Sequence, residues 1–370
     1  MKKCRLLLFT VFIGLSLILS ACTHLVQPKE IIGKSVSYLD CGTNPPTPRE
    51  MAKHELKGKD NFEWWYFDGH LDTGETFVGV FHGQNYIMGK PVVTFSLYGK
   101  DWVRDDRMLV LKEGDMKVSG DDLQLTSSAG YIKRVDDKTV LVGWDLKGIK
   151  ADFKLTTLSP GWMPVGSDNI PEEKKVFFWA VHQGRNKIEG TIIKDGVARN
   201  VTGEGYADHN WGTKAIHEIT PYWIWGRIFA GPYTFIYANV LHNDIEIPTV
   251  LPFYMAKGDK MLVGVNGATI RQMDFITDPA RQRFYPRYVD IDYADKGVEA
   301  HIKIHHKAVV ENRDLLEASG LSSFTQWFFR TFISRPTYFR IIADYEGTVL
   351  ENGVTTPLKG ECLYEIMGLR

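Results

Sequence analysis

The chain has 370 residues, with 44 basic and 45 acidic side chains and a net charge of −1, so it has no bias toward binding polyanions. It carries no basic stripe, zinc-finger spacing or phosphate loop, which excludes the common nucleic-acid and nucleotide binders. Its 20 Phe, 16 Tyr and 10 Trp make it 12 % aromatic, a content that suits aromatic-lined cavities as well as large β cores.

Residues 1–21 read as a lipoprotein signal peptide. Lys2, Lys3 and Arg5 form a basic start, Leu6 to Leu19 an apolar core, and Leu19-Ser20-Ala21-Cys22 a small-residue cleavage site like a bacterial lipobox. Cys22 is then the lipidated first residue of the mature chain and its contact with the membrane. An uncleaved anchor is the alternative, but the apolar run is short for a span. Thr23, where an acidic residue could stand, points to the outer membrane if the cell is Gram-negative, so the expected location is the cell envelope. Residues 22–50 are largely polar, contain Pro45, Pro46 and Pro48, and read as a tether. Cys4 leaves with the signal, and whether Cys41 and Cys362 pair in a compartment that permits disulfides stays open.

The remaining 370 − 50 = 320 residues suit two domains. From residue 61 onward the pattern is that of half-buried antiparallel strands. Val93, Phe95 and Leu97 alternate with Thr94, Ser96 and Tyr98, and Ile302 and Ile304 alternate with His301, Lys303 and His305. A faint internal repeat supports two copies. Trp64-Trp65-Tyr66 matches Trp223-Ile224-Trp225, an offset of 223 − 64 = 159. Gly203-Glu204-Gly205-Tyr206-Ala207-Asp208 matches Gly360-Glu361-Cys362-Leu363-Tyr364-Glu365, an offset of 360 − 203 = 157. The expected fold is all-β, with antiparallel barrels over residues 51–215 and 216–370, each closed or nearly closed and able to hold an apolar ligand. Leu315 to Arg335 breaks the pattern and reads as a short helical insertion in the second barrel, ended by Pro336. It is either a lid or membrane-resting element, or a helix packed across a barrel mouth.

The most chemically loaded stretch is Gly203-Glu204-Gly205-Tyr206-Ala207-Asp208-His209-Asn210-Trp211-Gly212. On a strand, Tyr206 and Asp208 point one way while Ala207 and His209 point the other. A phenol and a carboxylic acid facing one cavity can act as proton donor and partner. Equally, Asp208 and Asn210 can fasten a bend. Together with Glu63-Trp64-Trp65-Tyr66-Phe67-Asp68-Gly69-His70-Leu71, this motif resembles the lipocalin-like family of carotenoid 1,2-hydratases (hydroxyneurosporene synthases). AttH-type proteins, kievitone hydratases and some fungal Diels–Alderases belong to the same wider group. The resemblance covers nearly all of the chain after about residue 50 and implies two consecutive calycin-type barrels and a bulky apolar ligand.

Hydrating an isoprenoid-type double bond requires a proton delivered to carbon and capture of the resulting cation by water. The acid must be neutral at rest, which an Asp achieves in an apolar cavity. Aromatic faces stabilise the cation without trapping it. The resemblance gives the acid role to Asp208, with Tyr206 assisting. It also implies a His-x-Trp pair on the preceding strand, whose nearest equivalent here is Phe177-Phe178-Trp179-Ala180-Val181-His182, with Trp and His reversed and one residue further apart. Glu63, among aromatics, is either a second acid or base or a buried ion-pair partner. Trp64, Tyr66, Trp223 and Trp225 line a ligand cavity or pack the core, and Trp179, His182, His209 and Trp211 complete the candidate ligand contacts. His301 and His305 read as solvated. No metal and no cofactor is expected, since dinucleotide, Gly-x-Ser-x-Gly and His-Glu-x-x-His signals are all missing. The rival reading is a carrier of lipophiles that performs no chemistry.

Overall fold

A computed structural model describes residues 28–34, 44–56, 60–84, 89–163, 177–241, 251–295, 297–318, 323, 326 and 336–369. The signal peptide, Cys22 and Cys41 lie outside these residues. Cys362 is a free, buried thiol. Among the described residues no helix is long and apolar enough to cross a membrane.

The chain is all-β, arranged as two large antiparallel sheets. The first holds β2 (Phe62–Leu71), β3 (Thr76–Gln84), β4 (Val92–Tyr98), β5 (Arg104–Val110), β6 (Lys117–Val118), β7 (Gln124–Ser127), β8 (Gly130–Arg134), β9 (Thr139–Leu146), β10 (Ile149–Ser159), β11 (Phe177–Lys194) and β12 (Val197–Gly212). The second holds β13 (Tyr222–Ala230), β14 (Tyr233–Leu241), β15 (Pro252–Lys257), β16 (Lys260–Asn266), β17 (Thr269–Asp278), β18 (Arg283–Asp295), β19 (Val298–Asp314), β20 (Thr337–Glu351) and β21 (Val354–Gly368). In each sheet neighbours in sequence pair, and the first strand closes on the last, β2 on β12 and β13 on β21. Each meander is interrupted once, between β5 and β6 and between β16 and β17, so neither sheet forms an unbroken ring of hydrogen bonds. Each sheet thus curls round with a single gap, within the expectation of barrels closed or nearly closed. Within the span read as a tether, Glu30–Lys34 is an edge strand, β1, paired with β17. Thr47 caps a one-turn helix, α1 (Pro48–Met51), in a reciprocal box with Glu50. A second turn, α2 (Ile216–Ile219), joins the sheets, and α3 (Leu315–Ala318) begins the helix read from sequence, the rest of which falls almost wholly outside the described residues.

Side-chain alternation divides the core into three. Inside the first sheet Trp144 packs against Phe67, Phe77, Phe81, Phe95 and Phe153, with ring centroids 5.1 to 6.2 Å away. Gly79 lies beneath that indole, where a Cβ would overlap the ring. The second sheet encloses Phe235, Tyr237, Phe253 and Ile291, and Gly226 makes the matching concession under Tyr237. These interiors are filled by side chains. The third cluster, including Trp162, Trp179, Tyr206, Trp225 and Ile342, lies between the sheets. The strands facing it are buried on both sides, so β2 shows a continuous aromatic run where β10 simply alternates.

Buried charges join the sheets across this layer. Asp68 on β2 accepts from Arg227 Nε on β13 at 2.9 Å, and Arg340 Nη2 on β20 lies 3.4 Å away. Arg340, fully buried, also pairs with Glu365 on β21. Glu365 accepts from Tyr66 at 2.9 Å and from Tyr338 at 2.6 Å. Nearby, Glu311 on β19 is held by Arg104, Arg313 and Tyr98. Burial works against the Arg340 charge, but Tyr66, Tyr338, Glu365 and Asp68 around it hold its guanidinium protonated.

Removing one partner of such a pair leaves the other charge buried and uncompensated, a loss of about 3–5 kcal/mol. Arg340→Met is therefore expected to lower the stability measured by urea unfolding by about that amount, and adding Glu365→Gln is expected to recover part of it. A loss under about 1 kcal/mol would show that the network does not hold the sheets together.

Candidate active site

Asp208 lies on β12 between Tyr66 of β2 and Val181 of β11 in the hydrogen-bonded ladder. Period-2 geometry turns Tyr206, Asp208 and Asn210 toward the opposing sheet, as it does Trp64, Tyr66 and Asp68 on β2. Of these, Trp64, Tyr66, Asp208 and Asn210 line a cavity of about 370 Å³ between the two sheets. Val78, Val80, Phe177 and Trp179 enter from the first sheet, and Trp223, Trp225, Ala238, Val240, Tyr338 and Met367 from the second. The sequence allowed an apolar ligand in each barrel and put the Asp208 chemistry near the domain junction; side chains fill the barrel interiors, and the space opens where the two sheets meet face to face.

Asp208 is 6 % exposed, and its carboxyl is held by neutral donors. Oδ2 accepts from the Tyr206 hydroxyl at 2.8 Å and from the Trp179 indole N–H at 2.9 Å, and Oδ1 accepts from the Asn210 amide at 2.8 Å. Burial raises its pKa to about 8, the negative charges of Asp68 and Glu365 act in the same direction, and the bonds from Tyr206 and Trp179 oppose it only in part. At pH 7 roughly ten neutral molecules exist for each ionised one. Glu365 is also raised, by burial, although Arg340 opposes the shift. Burial beside Asp208 pushes the Tyr206 hydroxyl well above its ordinary value, so the phenol stays protonated. His82, in the same wall, is driven down to about 4 by burial and is neutral.

Three rings surround the acid. Tyr206 and Trp225 are 5.0 Å apart, Tyr66 and Trp225 5.9 Å, and Tyr66 and Tyr206 6.3 Å, all tilted or edge-on. A neutral acid beside electron-rich faces can protonate an apolar ligand and stabilise the cation that results.

The candidates named from sequence divide by sheet face. Asp208, Trp64, Tyr66, Trp179, Trp223 and Trp225 line the cavity, while Tyr206, fully buried, supports Asp208 from behind it. Glu63, His182, His209 and Trp211 are not brought there, because they occupy the alternate positions of β2, β11 and β12 that point into the first sheet. Glu63 meets His54 and His209, which together hold its carboxyl below the usual range despite burial. His182 packs near Phe67 and His209, with burial keeping it neutral. Trp211 stacks on His54 and Phe178. Of the pair implied by the resemblance, Trp179 is the member that reaches Asp208, and the cavity residue two places before it is Phe177. Sequence reasoning missed Arg340, Tyr338, Glu311 and the buried pairing of Glu365 with Arg340, although the internal repeat had already aligned Glu365 with Asp208. The structure places Glu365 opposite Trp225 on β13, as Asp208 stands opposite Tyr66 on β2.

Neither a family model nor a curated protein matches the sequence. Solved structures do. An AttH protein from Nitrosomonas europaea superposes with a TM-score of 0.60 at 13 % identity, covering 89 % of this chain and 98 % of that one. CghA with Sch210972 gives 0.63 at 11 %, covering 92 % and 99 %. Kievitone hydratase from Nectria haematococca gives 0.55 at 12 %, covering 90 % and 98 %. The chain has the AttH-like lipocalin fold that these proteins share.

Infrared difference spectra of wild type against Asp208→Asn are expected to show a protonated carboxyl stretch at about pH 6 that disappears with a midpoint near 8. The folded value lies above the unfolded one. Asp208 therefore adds stability that is complete below the ordinary aspartate value of 3.8 and is lost as pH rises toward 8, so wild type should lose stability relative to Asp208→Asn across that window. A midpoint near 4 contradicts the burial argument.

Proposed function

We propose that this protein binds a bulky apolar molecule in the cavity between its sheets and that Asp208 delivers a proton to one of the ligand's double bonds. What carries this reading is a carboxyl stabilised as the neutral acid by burial, facing an apolar cavity among three aromatic rings. In hydration the Asp208 proton forms a new C–H bond, leaving a cation over Tyr66, Trp225 and Trp179. Water then forms the C–O bond and gives a proton back to the Asp208 carboxylate, so one water is added and the acid is restored. Loss of a different C–H proton to Asp208 completes an isomerisation instead. Tyr206 and Trp179 are placed to donate hydrogen bonds to the carboxylate that exists between the two steps. The hydratase named among the proteins of shared fold agrees with this chemistry. Residues 1–22 support an address for the activity, with Cys22 anchoring the chain in the cell envelope.

The test uses the chain from Thr23 onward, incubated with lipid extract of the source cell and examined by mass spectrometry. Wild type should convert a bound compound to one heavier by water or rearranged at constant mass. Asp208→Asn should keep binding and lose roughly 10²- to 10⁴-fold in turnover, the size of a general-acid contribution. The same compound bound unchanged by both proteins would make the chain a carrier and remove the catalytic reading.

A further inference from the structure

On the face of β2 and β12 away from the cavity, three metal-ligating side chains converge that the proposed chemistry does not use. Glu63 Oε1 lies 3.2 Å from His54 Nδ1 and 3.1 Å from His209 Nε2. All three ligand atoms fall within 4.8 Å of one another. A tetrahedral site with bonds of about 2.0–2.1 Å has ligand–ligand edges of roughly 3.3 Å, so two edges are already close to that value.

Hydrogen accounting shows that something positive belongs there. His209 Nδ1 lies 3.1 Å from the Glu50 carbonyl, which only accepts, so Nδ1 carries a proton, and Nε2 either holds a second one, making an imidazolium paired with Glu63, or presents its lone pair. A bare lone pair there would face a carboxylate oxygen at 3.1 Å and repel it, so either that second proton or a metal ion lies between the two. An imidazole whose far nitrogen donates to a backbone carbonyl is how proteins orient a metal-ligating histidine. The rings are also fixed by their neighbours. His54 stacks on Trp211 at 3.8 Å and 8°, and His209 on Trp65 at 4.5 Å and 8°. Glu63 and His209 are buried, whereas the His54 side chain keeps 18 % of its surface exposed, enough for a cation to enter and keep a water ligand.

We propose that His54, Glu63 and His209 bind a divalent transition-metal ion of the zinc type, with a coordination position open on the His54 side. The ion ties the segment carrying Glu50 and His54 to β2 and β12. That segment is already anchored there by the hydrogen bond from Trp65 Nε1 to the Met51 carbonyl, at 3.0 Å. The site is independent of the cavity chemistry, since Asp208 and His209 leave opposite faces of one strand.

The experiment takes the mature chain without a histidine tag, strips it with chelator, and titrates it with Zn(II) by calorimetry and with Co(II) by visible absorption. Wild type should bind one equivalent, show the d–d bands of a low-coordinate Co(II) site and gain thermal stability with Zn(II). Glu63→Gln and His54→Ala should each weaken binding by about tenfold or more. His54 sits at the partly exposed margin, so His54→Ala keeps the test decisive if Glu63→Gln fails to fold. Folded wild type that binds neither ion, or binding unchanged in folded His54→Ala, would overturn the proposal.

Discussion

The structure depends on how positive charge is distributed in the layer where the two sheets meet. Among the described residues four carboxyls are buried there. Asp68 has Arg227 and Arg340, Glu365 has Arg340, and Glu311 has Arg104 and Arg313. Asp208 is held by an indole, a phenol and an amide, all neutral. Ion pairing keeps three of these groups compatible with burial, and for the fourth the neutral form is favoured. Burial sets the state of the acid, and the electrostatics that join the sheets add to it, because Asp68 and Glu365 further disfavour a charge on Asp208.

Both roles rest on strands buried on two sides. β2, β12, β13 and β21 each give one face to the interior of their own sheet and the other to the layer between sheets. The inner faces pack to completion around rings such as Trp144. The outer faces cannot, because two twisted sheets touch along a limited area and leave space where they diverge. That space becomes a cavity walled by Trp64, Tyr66, Trp223 and Trp225. The same alternation delivers His209 and Glu63 to a separate cluster with His54, so one strand pair supplies two chemically unrelated sites.

Much of this was legible in the sequence. The aromatic run from Phe62 to Phe67 and the Tyr206–Asp208 spacing marked the strands that matter, and alternation placed Tyr206 and Asp208 together and His209 apart. Applied to Glu63, His182 and Trp211, the same alternation would have removed them from the cavity, but only the register with neighbouring strands shows which face is which. The internal repeat paired Asp208 with Glu365 without revealing that the two face each other across one layer. Arg340 gave no local signal, since Thr337-Tyr338-Phe339-Arg340 reads as an ordinary strand with a solvated end. The position of the cavity followed from packing between sheets, which no linear pattern encodes. His54 stands nine residues from Glu63 and far from His209, beyond any motif window.

The most direct test of the central claim follows solvent hydrogen. In heavy water the Asp208 carboxyl exchanges to O–D, and any ligand it protonates at carbon acquires a C–D bond that does not wash out in ordinary water. The account predicts one non-exchangeable deuterium in the compound processed by wild type and none with Asp208→Asn at equal occupancy. Ligand recovered from both proteins without carbon-bound deuterium would contradict it, leaving Asp208 as a brace in a binding protein.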